Sequence, residues 1–210
     1  RFNIKTISLQ EMYNYIFNGQ RIPNRSIVLT FDDGYADNYI FAYPLLKKYG
    51  FKGTIFVSTD MISNNQNIRK RLDEVDNVKS LDYEGYLSWD EMKIMENDNT
   101  IDIQSHAVSH TFYPSSNEII DFRHPNDDHY WMTWNQNIEQ KPYLQIENTN
   151  LIKLGEPVFS HKPSLSAPKL IVDKNKISIF SDYVKNNGGS DFFNKPKWKD
   201  ELFEIKENID

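Results

Sequence analysis

The chain has 210 residues, no cysteine and a formal net charge of −6, from 24 Lys and Arg against 30 Asp and Glu. The absence of cysteine excludes disulfide scaffolds, thiolate zinc sites and cysteine nucleophiles. The acidic balance, without a long basic run, argues against a nucleic-acid partner. No apolar stretch approaches the roughly 20 residues of a transmembrane helix, so we expect no transmembrane segment in this chain. The length corresponds to one domain, or to one domain with a large insertion.

Helix and strand signals alternate over the first half of the chain. Two capping boxes, each a Ser with a Glu three residues later, predict helix starts. Three short apolar runs bounded by turn residues predict buried strands. This alternation predicts an α/β fold with parallel strands and crossover connections. The predicted elements are a helix from Ser8 to Gly19, a strand at 26–31, a helix at 35–49 interrupted near Pro44, a strand at 53–58, a helix opened by Ser88 and Glu91, and a strand at 101–105.

The second half of the chain has a different character after His110. Residues 111–170 are rich in Pro and Asn and show no clear period, so we predict an irregular insertion with short strands around 151–154 and 157–160. Two amphipathic helices follow the insertion. The apolar face of the first contains Ile177, Phe180 and Val184, and that of the second contains Trp198, Leu202, Ile205 and Ile209.

Two adjacent carboxylates, Asp32 and Asp33, directly follow the first predicted strand and precede Gly34. In parallel α/β folds, functional sites collect at the carboxyl ends of strands. Adjacent side chains at a strand end point in different directions, so one can bind a metal while its neighbour faces a substrate. The alternative is a turn in which both carboxylates cap the next helix.

A pair of histidines, His106 and His110, follows the third predicted strand. Two imidazoles four residues apart share one face of a helical turn and can hold one ion. No Glu follows the first His, so this is not the zincin helix pattern. The alternative is two loop histidines that pack on aromatic rings. Together with Asp33, the pair makes a set of one carboxylate and two imidazoles with open positions, which is typical of a catalytic divalent metal.

Four segments carry these residues: SIVLTFDDGYADNY at 26–39, PLLKKYGFKGTIFV at 44–57, LSWDE at 87–91 and IDIQSHAVSH at 101–110. In order, spacing and flanking pattern they resemble the polysaccharide deacetylases of the NodB-homology class, also called carbohydrate esterase family four. The resemblance extends over about residues 5–112. It implies a deformed, incomplete (β/α) barrel, here a single domain over 1–210 that contains the insertion at 111–170.

The resemblance also implies an activity, which is the divalent metal-dependent removal of N-acetyl groups, less often O-acetyl groups, from sugars. Zinc is the common metal of that family. Its first TFDDG aspartate is the general base, and its second binds the metal with the two histidines. Carried over, Asp32 is the catalytic base and Asp33, His106 and His110 are the metal ligands; substrate-binding residues stay unassigned. In this role we expect Asp32 to be buried.

The implied substrate is an acetylated aminosugar polymer or a lipid-linked glycan. A surface polysaccharide as substrate favours an extracytoplasmic or cell-surface location over a cytoplasmic one. Two alternatives stay open at this point. One is a catalytically inert carbohydrate-binding or scaffold module on the same fold, and the other is an O-acetyl esterase that uses the same site.

The sequence departs from the family pattern in two ways. Ala107 stands where the family has Ser or Thr after the first His, which removes a hydroxyl that braces the loop unless Ser105 or Ser109 replaces it. After His110 nothing matches the later family segments that supply an oxyanion donor and a general acid. We therefore expect a fragment of a longer enzyme, with an open flank beside the metal ligands where these groups belong.

Other polar and aromatic residues of the second half have less specific patterns. We interpret the remaining histidines as surface or structural groups; they are His124, His129 and His161. A set of aromatic residues can stack on apolar sugar faces or anchor the insertion, and we favour anchoring. The set comprises Tyr130, Trp131, Trp134 and Tyr143.

Overall fold

The computed structural model describes residues 3–64, 67–136, 153–166 and 168–209. The chain divides into two compact units, whose described residues are 3–64 and 67–110 in the first and 111–136, 153–166 and 168–209 in the second. None of the described helices is both long and apolar enough to cross a membrane.

The helices and strands of the two units are as follows. The first unit contains β1 (Lys5–Thr6), α1 (Leu9–Phe17), β2 (Ser26–Ile27), β3 (Thr30–Phe31), α2 (Tyr43–Tyr49), β4 (Gly53–Ser58), α3 (Trp89–Asn97) and β5 (Ile101–Ala107). The second contains β6 (Phe112–Phe122), α4 (Tyr130–Gln136), β7 (Pro157–Pro163), α5 (Lys174–Asn186) and α6 (Trp198–Ile209).

A three-stranded parallel sheet forms the centre of the first unit. Its strand order is β3-β4-β5, so β4 is paired on both sides. A second parallel pair, β1-β2, contains two residues in each strand. The predicted α/β character with parallel pairing is confirmed. No sheet closes on itself among the described residues, so the barrel stays a prediction.

The apolar run at 26–31 is not the single strand that its composition predicts. Ser26 and Ile27 pair with β1, whereas Thr30 and Phe31 pair with β4. Between the two pieces, the carbonyl of Leu29 accepts a hydrogen bond from the Thr54 amide. A run of apolar residues is compatible with either partner strand, so the sequence alone does not locate the residue at which the chain changes sheets.

Both predicted capping boxes are present. Ser8 Oγ accepts a hydrogen bond from the Glu11 amide at 3.1 Å, and the Glu11 carboxylate accepts one from the Ser8 amide at 2.7 Å. The predicted interruption near Pro44 is also present, because a π-helical turn over Asn38–Ala42 runs into α2 with Pro44 in its first turn. Pro44 has no amide hydrogen to donate, and the change from the π-helical turn to α2 at this point accommodates it. The helix ends at Gly50, in the left-handed conformation.

The apolar core of the first unit lies between its helices and its central sheet. Members from the helices, such as Ile40 and Met95, and from β4, such as Ile55, have no exposed surface. The helices follow an amphipathic pattern, whereas the central strand β4 is buried along almost its whole length. The other buried members include Ala36, Tyr39, Tyr43, Leu46, Val57, Ile62, Leu81, Leu87, Met92 and Ile101.

A buried ion pair joins the segment before residue 80 to the start of α3. The Glu91 side chain is fully buried, and its carboxylate accepts hydrogen bonds from Arg69 Nη1 at 2.8 and 3.1 Å. The same carboxylate accepts hydrogen bonds from the backbone amides of Arg69 and Ser88. Its lone pairs are therefore well used, which is the condition under which a buried carboxylate is tolerated.

We expect Glu91→Gln to lower the free energy of unfolding by about 3 kcal/mol, because Arg69 then keeps its charge in a buried place with only the exposed Asp82 carboxylate, 4.0 Å from its Nε, as a counter-charge. Glu96→Gln is the control, since Glu96 lies on the same helix and is exposed. Urea unfolding followed by circular dichroism measures both variants. Equal loss of stability in the two variants would contradict the importance of the buried pair.

The second unit contains a regular hairpin where the sequence predicts an irregular insertion. β6 and β7 pair antiparallel over almost the whole of β7, with two register shifts along β6. The prediction of irregular structure is wrong for residues 112–122, because these shifts and Pro114 remove the alternating pattern that marks a strand. The predicted strand near 157–160 is confirmed within β7. Of the predicted strand at 151–154, residues 151 and 152 lie outside the described residues, and 153 and 154 are not in a strand.

The two amphipathic helices at the end of the chain are confirmed as α5 and α6. They enclose an apolar cluster with the end of β6. Its buried members are Phe122, Phe180, Val184, Phe192 and Leu202. This cluster joins residues of the predicted insertion to both helices, so the second unit has a core of its own.

Candidate metal centre

Asp33 lies in a sharp turn immediately after β3. Asp33 and Gly34 both have positive φ, at 70° and 78°, and the Gly34 amide donates to the carbonyl of Asp32 at 2.9 Å. Gly34 also packs closely on β4, since a Cβ added there would lie 2.9 Å from Val57 Cγ1. A non-glycine residue in the left-handed region is uncommon and often marks a functional turn. The turn fixes the direction in which the Asp33 carboxylate leaves the end of the strand.

We expect Gly34→Ala to destabilise the protein more than Gly19→Ala, by at least about 1 kcal/mol. Both glycines have positive φ, but a Cβ at Gly19 has no atom within 4 Å, so the comparison isolates the contact with Val57. Thermal unfolding of the two variants measures the difference. Equal destabilisation would show that backbone strain alone decides the outcome.

His106 is placed by a β-bulge in the pairing of β4 with β5. Val57 pairs with Ser105 and Ser58 pairs with Ala107, so His106 is the extra residue between two paired positions. A bulge turns the side chain of the extra residue away from the regular alternation of the strand. The predicted helical turn for the histidine pair is therefore wrong for His106, which lies in an extended strand.

His110 follows three residues after the end of β5. Its φ is 39°, so the chain bends there in the left-handed region. The carbonyl of Val108 accepts a hydrogen bond from the Asp60 amide at 2.8 Å, which joins the loop to the segment after β4. This loop brings the ring of His110 to 4.7 Å from the ring of His106, measured between centroids.

The three residues predicted to bind a metal lie together. Asp33 Oδ1 is 3.3 Å from His110 Nδ1 and 3.7 Å from His106 Nε2. One potential ligand atom from each residue lies within 4.8 Å of the other two, and no other such group of three occurs among the described residues. The Asp33 side chain is 17% exposed and the His110 side chain 45%, so the cluster is partly shielded and open on the side of His110.

The hydrogen bonding of Asp33 tests whether these residues fit a cation. Tyr35 donates its hydroxyl hydrogen to Oδ2 at 3.1 Å. Oδ1 is buried and has no hydrogen-bond partner among the described residues. A buried carboxylate oxygen without a partner is costly, and a cation between it and two imidazole nitrogens would satisfy all three. One oxygen and two nitrogen donors suit zinc and related divalent ions.

Asp32 differs from its expected environment, because its side chain is exposed rather than buried. The cause is the turn at Asp33 and Gly34, since the exposed Asp32 precedes the partly buried Asp33 and the two side chains leave the strand end differently. The Asp32 side chain makes no hydrogen bond or ion pair with the described part of the chain. Its carboxylate is thus accessible for proton transfer.

The neighbourhood of Ala107 contains a hydroxyl that sequence reasoning did not consider. Ser58 pairs with Ala107 across the strands, and its Oγ is buried without a hydrogen-bond partner among the described residues. Ser105 is exposed and Ser109 is buried. Only the strand register brings Ser58 next to this position, since the two residues are far apart in the sequence.

The other histidines belong to the second unit and are outside this cluster. His129 Nε2 is 3.3 Å from Asp121 Oδ2, His124 packs on Trp198, and His161 packs on Trp131. The Tyr130 and Trp134 rings contact each other, with centroids 4.5 Å apart. Tyr143, the fourth aromatic residue considered for sugar stacking, lies outside the described residues.

Comparison with known proteins identifies the family. The model of the polysaccharide deacetylase family matches residues 19–163, which include Asp32, Asp33 and both histidines of the cluster. The chain belongs to this family. The resemblance found in the sequence is therefore confirmed, and with it an enzyme family that acts on acetyl groups of polysaccharides.

The chain is also similar to individual proteins. YxkH of Bacillus subtilis (strain 168), which is named among the polysaccharide deacetylases, is 34% identical over 106 residues, covering 50% of this chain and 31% of YxkH. The deacetylase domain of BpsB from Bordetella bronchiseptica has a TM-score of 0.42 and 25% identity, with coverage of 54% and 42%. The deacetylase PplD of Streptococcus pyogenes, solved with acetate, has a TM-score of 0.40 and 28% identity, with coverage of 51% and 40%. The aligned region thus spans less than half of each of these relatives.

Proposed function

We propose that the protein hydrolyses N-acetyl groups of aminosugars in a polysaccharide or a lipid-linked glycan, using a divalent cation held by Asp33, His106 and His110. The observation that carries the proposal is the buried, unpartnered Asp33 Oδ1, which lies 3.3 and 3.7 Å from two imidazole nitrogens. Membership of the polysaccharide deacetylase family supports the class of reaction. Zinc is our candidate for the cation, because its catalytic sites combine three such ligands with an open position.

The cation, when bound, supplies an activated water and polarises the acetyl carbonyl. Asp33 orients toward it because the Tyr35 hydroxyl occupies Oδ2 and leaves Oδ1 for the cation. Such a hydrogen bond to a ligating carboxylate fixes its direction. The bulge at His106 and the bend at His110 present the two imidazoles on the same side. These three residues hold the site in place before substrate binds.

Asp32 acts in this proposal as the general base. It directly precedes the ligand Asp33, is exposed, and has no competing partner in the described part of the chain. A carboxylate within hydrogen-bond reach of the attacking water can accept its proton as the carbon–oxygen bond forms. The proton that Asp32 has accepted then passes to the leaving nitrogen as the amide carbon–nitrogen bond breaks, which releases acetate and a free amine on the sugar.

An acetylated surface polysaccharide as substrate also favours an extracytoplasmic or cell-surface location over a cytoplasmic one. The same site can cleave an O-acetyl ester, and the two reactions differ only in the substrate that is offered. An inert carbohydrate-binding module would lack the reaction altogether. Acetate release from matched substrates separates these alternatives.

We expect Asp32→Asn to lower acetate release from N-acetylated chito-oligosaccharides at least about 100-fold, because the amide cannot accept the proton. Zinc content per chain should stay at the wild-type value, since Asp32 is not a ligand. Asp76→Asn, which changes an exposed carboxylate elsewhere in the first unit, is the control and should behave as wild type.

Enzymatic detection of acetate and elemental analysis of zinc measure the two quantities on the same samples. Wild-type acetate release by Asp32→Asn would exclude Asp32 as the base. Release from O-acetylated xylan but not from chito-oligosaccharides would replace the proposed amidase by an esterase. The absence of release from both substrates would favour the inert module.

A further inference from the structure

The second unit contains a cleft that the proposed chemistry does not use. Its volume is about 270 Å³. This volume lies just under the roughly 300–1,000 Å³ of small-molecule sites, so the cleft can hold one small ring rather than an extended chain. The lining residues are Phe112, Asp128, His129, Tyr130, Trp131 and His161.

Aromatic rings from three elements form the walls of this cleft. His161 on β7 packs on Trp131 of α4 with ring centroids 4.6 Å apart, and meets Phe112 of β6 edge-on at 5.6 Å. Phe112 and Tyr130 are 39% and 38% exposed, so part of each residue at the cleft is open to solvent. The cleft thus offers flat apolar surfaces to a ligand.

Trp131 adds an unused hydrogen-bond donor. The residue is 7% exposed, and its Nε1 is buried without a hydrogen-bond partner among the described residues. A buried indole N–H usually finds an acceptor. At the rim, the Asp128 side chain is 93% exposed, and the His129 ring lies 3.7 Å from it. The cleft therefore combines ring faces with one donor and a polar rim.

We propose that this cleft binds a single pyranose ring of the glycan chain. A pyranose has apolar faces made of C–H groups, which pack on aromatic rings, and hydroxyl groups around its edge. Its oxygens are acceptors for Trp131 Nε1, and its hydroxyl hydrogens are donors for the Asp128 carboxylate. A purely apolar ligand would leave the Trp131 N–H without a partner and would displace water from the exposed Asp128 carboxylate without replacing its hydrogen bonds. The proposal rests on the proposed function, because the bound glycan is the substrate of the deacetylase.

Two variants and a matched control test the cleft in the full chain. Tyr130→Ala removes a partly exposed ring. Trp131→Phe replaces the buried indole by a smaller phenyl ring and so removes the N–H donor. Tyr83→Ala is the control, because Tyr83 is a similarly exposed tyrosine of the first unit that packs on Phe41. Isothermal titration calorimetry with tetra-N-acetylchitotetraose and with its deacetylated counterpart measures the dissociation constants.

We expect Tyr130→Ala and Trp131→Phe each to raise the dissociation constant about 5- to 10-fold for at least one of the two oligosaccharides. Tyr83→Ala should leave it unchanged. Trp131→Phe should keep a cooperative thermal transition, and its melting temperature should fall only by the small amount that the loss of ring volume accounts for. This combination of weaker binding with an intact fold separates a ligand-binding role from a structural one.

His106→Ala separates this inference from the proposed function. The variant should lose acetate release and keep cleft-dependent binding, because His106 belongs to the first unit. If wild type releases no acetate and the two cleft variants still weaken binding, the deacetylase proposal fails and the glycan site stands. Wild-type affinity in both cleft variants, or no binding of either oligosaccharide at millimolar concentration, would overturn the glycan site.

Discussion

A buried carboxylate oxygen next to two imidazole nitrogens constrains the first unit of this protein. Asp33 Oδ1 is buried and has no hydrogen-bond partner among the described residues. A buried polar atom left in this way costs about 1–3 kcal/mol. The fold sustains this arrangement through the turn at Gly34 and the bulge at His106, which are fixed by the packing and pairing of β4, and through the Tyr35 hydroxyl that holds Asp33 Oδ2. A cation is the partner that suits all three donors.

The same strand, β4, therefore serves both stability and function. It is the central strand of the sheet, its apolar side chains belong to the core, and Val57 contacts the turn that carries Asp33. The Glu91–Arg69 pair adds a second buried polar element to this unit, at the start of α3. Unlike Asp33, Glu91 is saturated with hydrogen bonds. The contrast distinguishes a carboxylate that stabilises the fold from one that is available to a ligand.

Local signals in the sequence predicted much of this structure. The capping boxes at Ser8 and Ser88 depend on short-range patterns. The cluster of Asp33 with His106 and His110 was predictable because each part follows a predicted parallel strand and because the segments resemble a known family. Features that depend on which distant strands pair, and in which register, could not be predicted from the sequence. The division of the run at 26–31, the bulge at His106 and the hairpin of β6 with β7 are set by strand register, which a single sequence does not specify.

X-ray absorption at the zinc edge, together with metal analysis, tests the central claim most directly. The account predicts one zinc per chain in wild type, with two imidazole nitrogens and one carboxylate oxygen at about 2.0–2.2 Å. His106→Ala should lose the stoichiometric zinc, whereas His124→Ala should keep it, because His124 lies in the second unit. A spectrum without imidazole scattering, or an unchanged zinc content in His106→Ala, would contradict the assignment of Asp33, His106 and His110 as the metal centre.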